Sequence, residues 1–337
     1  MQPLRLLRCC FWQFHGAMQD SLFMFQSGVN LKHFSNYKIG GGAEYFFMAH
    51  DVQGLIGAVG AARKNNLPIF ILGGGTNLLI NDGGFKGLVL KPDIQQLEIK
   101  KLGKEQMLVK VGAGVLVFDL LNFLIAKSLS GMEWAGGLPG TIGGAIRGNA
   151  GAFSGETKDA VAEVVSLDIS GKKAKVISRN NKDCKFGYRN SIFKIQNGKE
   201  IVLQATLVLK KGDQKTIQQA ITEKINYRRS RHPMEYPNIG SIFKNVDIKL
   251  FSKKQQKDLV SIVKKDPFPV VPTAYLIAES GLKGVSYGGA MISPKHPNFI
   301  VNTLSANAEE VKTLINLVKT SVKRKFGVSL EEEIIYV

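Results

Sequence analysis

Glycine dominates residues 134–155, WAGGLPGTIGGAIRGNAGAFSG, yet the stretch does not read as a linker. Leu138, Pro139, Ile142, Ile146, Asn149 and Phe153 are interleaved with the glycines. A flexible linker carries glycine and serine without residues that seek burial. Glycine permits positive φ and close approach of the backbone to a bound group. Several exposed N–H groups in a row form a concavity that holds an anion. The stretch is therefore expected to be an ordered loop around a large phosphate-bearing ligand. On composition alone, a glycine-rich structural turn between two strands is an equal alternative.

A second glycine-rich stretch lies upstream at 69–91, IFILGGGTNLLINDGGFKGLVLK. Residues 69–72 read as a short buried strand. Gly73, Gly74, Gly75, Thr76 and Asn77 read as a tight turn, Leu78 begins a new apolar run, and 87–90 is another strand. A strand, a glycine turn and a polar Thr-Asn pair make a phosphate-cradle layout. No G-x-G-x-x-G opens a helix here, so this is not a Rossmann fingerprint, and no Gly-Lys-Ser/Thr follows, so it is not a Walker loop. Two separate loops imply a long ligand gripped at several points, a dinucleotide more than a single phosphate.

The 337 residues should hold two or three domains. Residues 1–27 start with arginines followed by Leu, Cys, Phe and Trp, without a clean small-residue cleavage site; they are expected to be a disordered tail, with Met18 or Met24 as alternative starts. Residues 28–91 read as strand, helix and strand. Asp51 caps a helix to about residue 65, with Leu55, Ile56, Val59 and Ala62 on one face, and Pro68 ends it. Residues 92–212 form a second α/β unit, with paired strands at 97–99 and 107–111, a helix over 115–129, the long glycine stretch, and strands at 161–169, 175–178 and 201–209. Residues 213–337 hold helix 214–229, a charged helix over 253–265, a short helix 274–280 and a strand 298–301. A long amphipathic helix over 305–326 turns Val311, Leu314, Ile315, Val318 and Val322 inward, and a final strand covers 328–337.

Hydrophobic content of 44% and charged content of 21% are ordinary for a globular protein, but the net charge of +18 is not. A basic surface attracts anions. No aromatic-interleaved basic motif accompanies it, so no nucleic-acid partner is expected and most of the excess reads as a solvated lysine-rich face. Cys9, Cys10 and Cys184 do not make a disulfide framework, which points to the cytoplasm. No run approaches the ~20 apolar residues of a membrane span. The five histidines lack metal-ligand spacing, so no metal is expected.

Three short blocks carry reactive side chains. Arg189 in YRNSIFK is, on spacing alone, most simply a strand arginine on a solvated face. Ser241 in GSIFKN is most simply a turn hydroxyl. In LEEEI, Glu331 and Glu333 would share one face of a strand and Glu332 the other, and such terminal acidic runs are usually solvated.

Taken together, GGGTNLLINDGGFKGLVLK and GLPGTIGGAIRGNAGAFSGE resemble the flavin-binding core of the UDP-N-acetylenolpyruvoylglucosamine reductase family. The likeness continues in order through IGGGAEYF near the start, then YRNSIFK, GSIFKN and LEEEI, and covers about residues 34 to 337. It implies an α+β protein in which two α/β subdomains, 28–91 and 92–212, form a vanillyl-alcohol-oxidase-type FAD-binding fold. A C-terminal α+β substrate domain, 213–337, completes it. It implies non-covalent FAD, NADPH as hydride donor, and reduction of UDP-N-acetylglucosamine enolpyruvate to UDP-N-acetylmuramate for peptidoglycan synthesis, by a cytoplasmic monomer.

Carried over residue by residue, the resemblance makes Gly73, Gly74, Gly75, Thr76, Asn77 and Leu78 cofactor-binding in the first loop. In the second it selects Gly137, Pro139, Gly140, Gly143, Gly144, Asn149, Ala150 and Gly151. Arg189 would face the enolpyruvyl carboxylate, which a guanidinium grips bidentately. Ser241 would protonate the carbanion-like carbon, and Glu333 would stand beside Arg189. Tyr188, Arg231 and Asn245 would contact the sugar nucleotide, Arg231 at its phosphates. SPKHPNFIVN, with His296 and Asn298, is also similar, without an assigned role. The segment between YRNSIFK and GSIFKN is short, as in the branch lacking a substrate-covering tyrosine loop. Val246 stands where proline is usual, and Lys38 and Gly42 where Arg and Pro are common. Two other readings are another FAD-dependent oxidoreductase of the same cofactor fold, against which the last three motifs speak, and a basic nucleic-acid-binding protein, which leaves both glycine loops unexplained.

Overall fold

A computed structural model describes residues 24–265 and 268–337. Most of the expected tail, 1–23, lies outside the described residues. Its end does not, because the first strand, β1 (Gln26–Asn30), starts at Gln26. β1 pairs antiparallel with β2 (Gly42–Ala49), and α1 (Val52–Lys64) follows. Asp51 Oδ1 accepts the Gly54 N–H at 2.7 Å, the cap that the sequence predicts. β3 (Ile69–Ile71), β4 (Leu78–Leu79) and β5 (Phe85–Pro92) complete the unit. The sheet runs β1-β2-β5-β3, with β5 parallel to both neighbours. A parallel strand covered on both faces can be apolar throughout. Leu88 and Leu90 pack with Leu55, Val59 and Ala62 of α1, whereas Val89 joins Leu31, Phe46 and Leu72 on the other side.

In the second unit β6 (Leu97–Lys101) and β7 (Gln106–Gly112) pair antiparallel, Leu97 against Val111. Helix α2 (Val117–Ala126) and the short β8 (Leu129–Ser130) lead into the long glycine stretch. That stretch is not one continuous loop. It contains α3 (Ile142–Gly148), capped by Thr141, and a small hairpin of β9 (Gly151–Ala152) and β10 (Gly155–Glu156). Ile142, Ala145 and Ile146 are the buried residues of α3, which accounts for the apolar residues between the glycines. β11 (Val161–Asp168), β12 (Lys175–Asn180), α4 (Ile192–Ile195) and β13 (Glu200–Lys211) follow. The sheet runs β12-β11-β13-β7-β6. Leu167, Ile201 and Leu203 share a core with Leu88 and Leu90, which presses the two units together.

Helix α5 (Gln214–Arg231) comes next. A boundary near Gly212 would assign it to the third unit, but Ile217 and Ile221 are buried in the second core with Trp134 and Leu209. The third unit comprises β14 (Val246–Asp247), α6 (Lys253–Asp258), β15 (Val270–Val271), α7 (Thr273–Glu279), and the meander β16 (Ser286–Tyr287), β17 (Ala290–Ile292) and β18 (Ile300–Asn302). It ends with α8 (Ala308–Phe326) and β19 (Ile335–Tyr336). α8 buries the expected stripe from Val311 to Val322, begins at an Asn307–Glu310 capping box and stops at Gly327, whose φ is 76°.

Two expectations are corrected here. The charged helix over 253–265 shrinks to α6; Leu259, Ile262 and Val263 pack on the core from the chain beyond it, which turns so that Lys264 bonds Val270. The strand over 328–337 shrinks to β19, which pairs parallel with β4. The residues before it serve a different partner: Glu331 O accepts from Lys244 N at 2.9 Å, and Glu333 N donates to Ile242 O at 2.8 Å. The third unit is locked to the first through Tyr37, which is fully buried. Its hydroxyl donates to Ile300 O at 2.9 Å, and Asn302 Nδ2 donates to Tyr37 O at 3.0 Å.

Candidate functional site

A cavity of about 1490 Å³ opens where the three units meet. Both glycine loops line it, with the turn at Tyr188–Arg189, the end of α5, the Ser241 segment and Glu333. The first loop follows β3, so the strand delivers its backbone to the cavity. The two loops touch: a Cβ on Gly74 would lie 2.6 Å from Gly140 Cα. Gly75 has φ of 64°, and a Cβ there would run into Phe34 O. Gly74 and Gly75 are needed for close approach of one backbone to another, beside a space large enough for a dinucleotide.

Of the residues expected to bind a cofactor, Gly73, Gly74, Gly75, Thr76, Asn77, Leu78, Gly137, Pro139, Gly140, Gly144, Ala150 and Gly151 line the cavity. Gly143 and Asn149 do not. The Gly143 N–H is already bonded to Ala113 O at 2.9 Å. Asn149 is fully buried with φ of 43°, ending α3. Its side chain holds the neighbouring turn, donating to Gly187 O at 2.9 Å and accepting from Lys158 N at 3.0 Å. Asn77 has a double position: it lines the cavity, and its side-chain amide donates to Glu333 O at 3.0 Å.

Arg189, Ser241 and Glu333 come together on the cavity wall from three distant parts of the chain. Arg189 Nε forms an ion pair with Glu333 Oε1 at 2.8 Å, and its Nη2 donates to Gly151 O at 2.8 Å. Among the described residues Nη1 has no partner. Both side chains are roughly one-fifth to one-quarter exposed, Arg189 at 24% and Glu333 at 21%. Because both residues line the cavity, part of this exposure opens onto it. Burial pushes the Glu333 carboxyl above its ordinary range, and Arg189, then Lys194 and Lys244, pull it back. Glu331 and Glu332 are occupied elsewhere, with Lys244 and Lys319 respectively.

The Ser241 hydroxyl makes no hydrogen bond among the described residues and follows Gly240, whose φ is 83°. Its segment is clamped from behind by buried Asn298, which accepts from Phe243 N at 3.1 Å and donates to Phe243 O at 2.8 Å. Asn298 O also accepts the Ile242 N–H at 2.8 Å. Tyr188 packs edge-on to Phe268 at 5.3 Å, and Asn245 and the exposed Arg231 line the same cavity.

Several cavity residues were not singled out from sequence: Arg147, Lys194, Arg228 and His232. Arg228 belongs to the basic run at the end of α5, and the run itself was the only signal. Its Nε donates to Gly136 O at 2.9 Å, while its buried Nη2 has no partner among the described residues. A buried unpaired guanidinium nitrogen beside a glycine loop fits an anionic ligand group. His232 and His296 stack edge-on at 5.2 Å, and burial first, with mutual repulsion at His232, pushes both down to about 4. Lys38, Arg147, Arg189, Lys194, Arg228 and Arg231 face a cavity whose carboxylates, among the described residues, are Glu235 and Glu333. That imbalance suits a ligand with several negative groups.

A sequence profile described as FAD binding domain matches residues 43–176, and one described as UDP-N-acetylenolpyruvoylglucosamine reductase, C-terminal domain, matches 232–337. The UDP-N-acetylenolpyruvoylglucosamine reductase of Clostridium novyi (strain NT) is 33% identical over 309 residues, covering 92% of this chain and 91% of that protein. The enzyme of the same name from Lachnoclostridium phytofermentans is 36% identical over 307 residues, covering 89% and 88%. The crystal structure of UDP-N-acetylenolpyruvylglucosamine reductase from Thermus caldophilus superposes with a TM-score of 0.70 at 27% identity, covering 93% of this chain and 99% of that one.

Proposed function

The chain belongs to the UDP-N-acetylenolpyruvoylglucosamine reductase family, and from that premise we propose that Arg189, Ser241 and Glu333 carry its reaction. It is an FAD-dependent oxidoreductase that uses NADPH to reduce UDP-N-acetylglucosamine enolpyruvate in peptidoglycan precursor synthesis. The observation that carries the assignment is the 2.8 Å ion pair from Arg189 to Glu333, made across two units at the cavity that Ser241 also faces.

The two glycine loops and Arg228 are the groups that would hold FAD, whose bound flavin supplies the hydride. Arg189 binds the substrate carboxylate through its Nη1 edge, with Nε and Nη2 fixed by Glu333 and Gly151. As charge builds on the carboxylate side, the guanidinium already points at it, so little reorganisation is needed. Glu333 keeps Arg189 in this orientation. Ser241 Oγ donates the proton to carbon, and Asn298 fixes the segment from which it does so. Tyr188, Asn245 and Arg231 contact the sugar nucleotide. Cytoplasmic residence and a monomeric state belong to the same proposal. No helix among the described residues is long and apolar enough to cross a membrane.

The test is conversion of UDP-N-acetylglucosamine enolpyruvate by purified flavin-loaded protein with NADPH, run beside Arg189→Ala. Stoichiometric NADPH oxidation that collapses in the variant supports the assignment. Unchanged turnover by the variant removes Arg189 from it.

A further inference from the structure

Arg189 reaches its partners from an unusual backbone. Gly187 and Asn190 close a two-residue turn by exchanging both main-chain hydrogen bonds, at 3.0 and 3.1 Å. Arg189 occupies the third position of that turn with φ of 53°. Glycine or asparagine normally takes such a position, because a longer side chain is strained in the left-handed region. Strain of this kind persists only where the surroundings over-determine it. If Arg189 relaxed to negative φ, its Cα–Cβ bond would swing, and the guanidinium would leave both Glu333 and Gly151.

Besides Glu333 and Gly151, which hold the guanidinium, Lys194 holds the backbone of Arg189. Its Nζ donates to Arg189 O at 3.0 Å. The lysine stands on α4, a single short turn that is itself anchored. Ser191 caps α4 at Lys194 N, and the Ser191 hydroxyl donates to Arg147 O at 2.6 Å. Phe193 is fully buried between these two anchors. The ammonium lies between like charges, Lys244 and Arg147, and the opposite charge of Glu333, which leaves little net attraction from charged neighbours. Its hydrogen bond goes to the Arg189 carbonyl.

We infer that Lys194 is a positioning residue, which holds the Arg189 carbonyl and so keeps the guanidinium in place for the substrate carboxylate. The inference rests on the role proposed for Arg189. The competing role is direct contact with the ligand, since Lys194 also lines the cavity.

A double-mutant cycle separates the two. Lys194→Met, Lys194→Arg, Arg189→Ala and the Lys194→Met/Arg189→Ala double variant are prepared as flavin-loaded protein. Reduction by NADPH and reoxidation by the enolpyruvyl sugar nucleotide are followed separately by rapid mixing, and the unfolding midpoint of each apoprotein is measured in urea. Lys194→Met is expected to slow reoxidation by about 100-fold, as a misplacement near 1 Å does, and to leave flavin reduction and the midpoint near wild type. Lys194→Arg should restore most of the rate. The double variant should be no slower than Arg189→Ala alone, because residues that act through one another are not additive. If the two losses multiply, Lys194 contacts the ligand independently and the inference is wrong. It is equally wrong if both half-reactions and the midpoint fall together without rescue by arginine. If Lys194→Met does not retain flavin, Lys194→Gln takes its place in the same cycle. Wild-type reoxidation by Arg189→Ala would instead overturn the role of Arg189 itself.

Discussion

Gly74→Ala tests whether the two glycine loops form the cofactor cradle by touching. The added Cβ would lie 2.6 Å from Gly140 Cα, 3.1 Å from Gly140 C and 3.1 Å from Thr141 N, all backbone atoms. Carbon atoms rest at about 3.5–4.0 Å, so the loops must part by about 1 Å. Overpacking of this kind costs about 1–3 kcal/mol. Gly74 does not need positive φ, so alanine gives back about 0.4–1 kcal/mol through the unfolded chain. The apoprotein should therefore lose up to about 2.6 kcal/mol. Displaced N–H groups also lose contact with the diphosphate, and one hydrogen bond to a charged group is worth about 1.5–3 kcal/mol. FAD affinity should fall at least about tenfold. Titration of apoprotein with FAD by fluorescence reads the affinity, and urea unfolding reads the stability. Gly57→Ala is the control: it lies in α1 with nothing within 4 Å of its Cβ position and should stabilise by about 0.5–1 kcal/mol. Wild-type FAD affinity and midpoint in Gly74→Ala would refute the cradle.

Arg189→Ala should reduce turnover by about 100- to 1000-fold, as removal of one charge-stabilising donor does, and near-normal steady-state rates would return Arg189 to the solvated reading. Glu333 has its folded carboxyl raised above the ordinary 4.5, so the stability it contributes is present at acid pH and is lost as pH rises through the folded value. Glu333→Gln cannot ionise, so its unfolding midpoint should gain on wild type as pH rises above about 4.5, and a difference that stays flat with pH would count against the buried carboxylate. His232 and His296 carry the opposite sign. Their folded values of about 4 lie below the ordinary 6.5, so stability is full above 6.5 and falls as acid protonates them in the unfolded state. His296→Gln should flatten part of that fall in urea midpoints measured across the same range.

Periodicity carried much of the fold. The cap at Asp51, the inward stripe of α8 and the pairing of β6 with β7 could be read locally, because each depends on residues close in sequence. The glycine loops were legible for a similar reason: a Thr-Asn pair after three glycines constrains its own backbone. Packing partners were not legible. Nothing in QKTIQQAI says that Ile217 and Ile221 bury against the second sheet rather than the third unit. The charged sequence after Lys253 has helical propensity, but Leu259, Ile262 and Val263 pack on the core from beyond the end of α6, a tertiary contact that local propensity does not show. Arg189 is the sharpest case. Its local sequence reads as a strand, and only the motif resemblance selected it. The left-handed turn and the partner carboxylate arise from tertiary contacts with Gly151, Lys194 and Glu333. Gly143 and Asn149 show the converse: motif position marked them, yet their polar groups are engaged in holding the scaffold.

The most direct test of the proposed catalytic trio separates the two halves of the reaction in Ser241→Ala. Flavin-loaded variant is mixed anaerobically with NADPH and then with UDP-N-acetylglucosamine enolpyruvate, following flavin absorbance in each step. The account predicts wild-type reduction by NADPH and reoxidation slowed by about 100-fold or more, the usual contribution of a positioned proton donor. Reoxidation at the wild-type rate would contradict it and leave the Ser241 hydroxyl without a catalytic role.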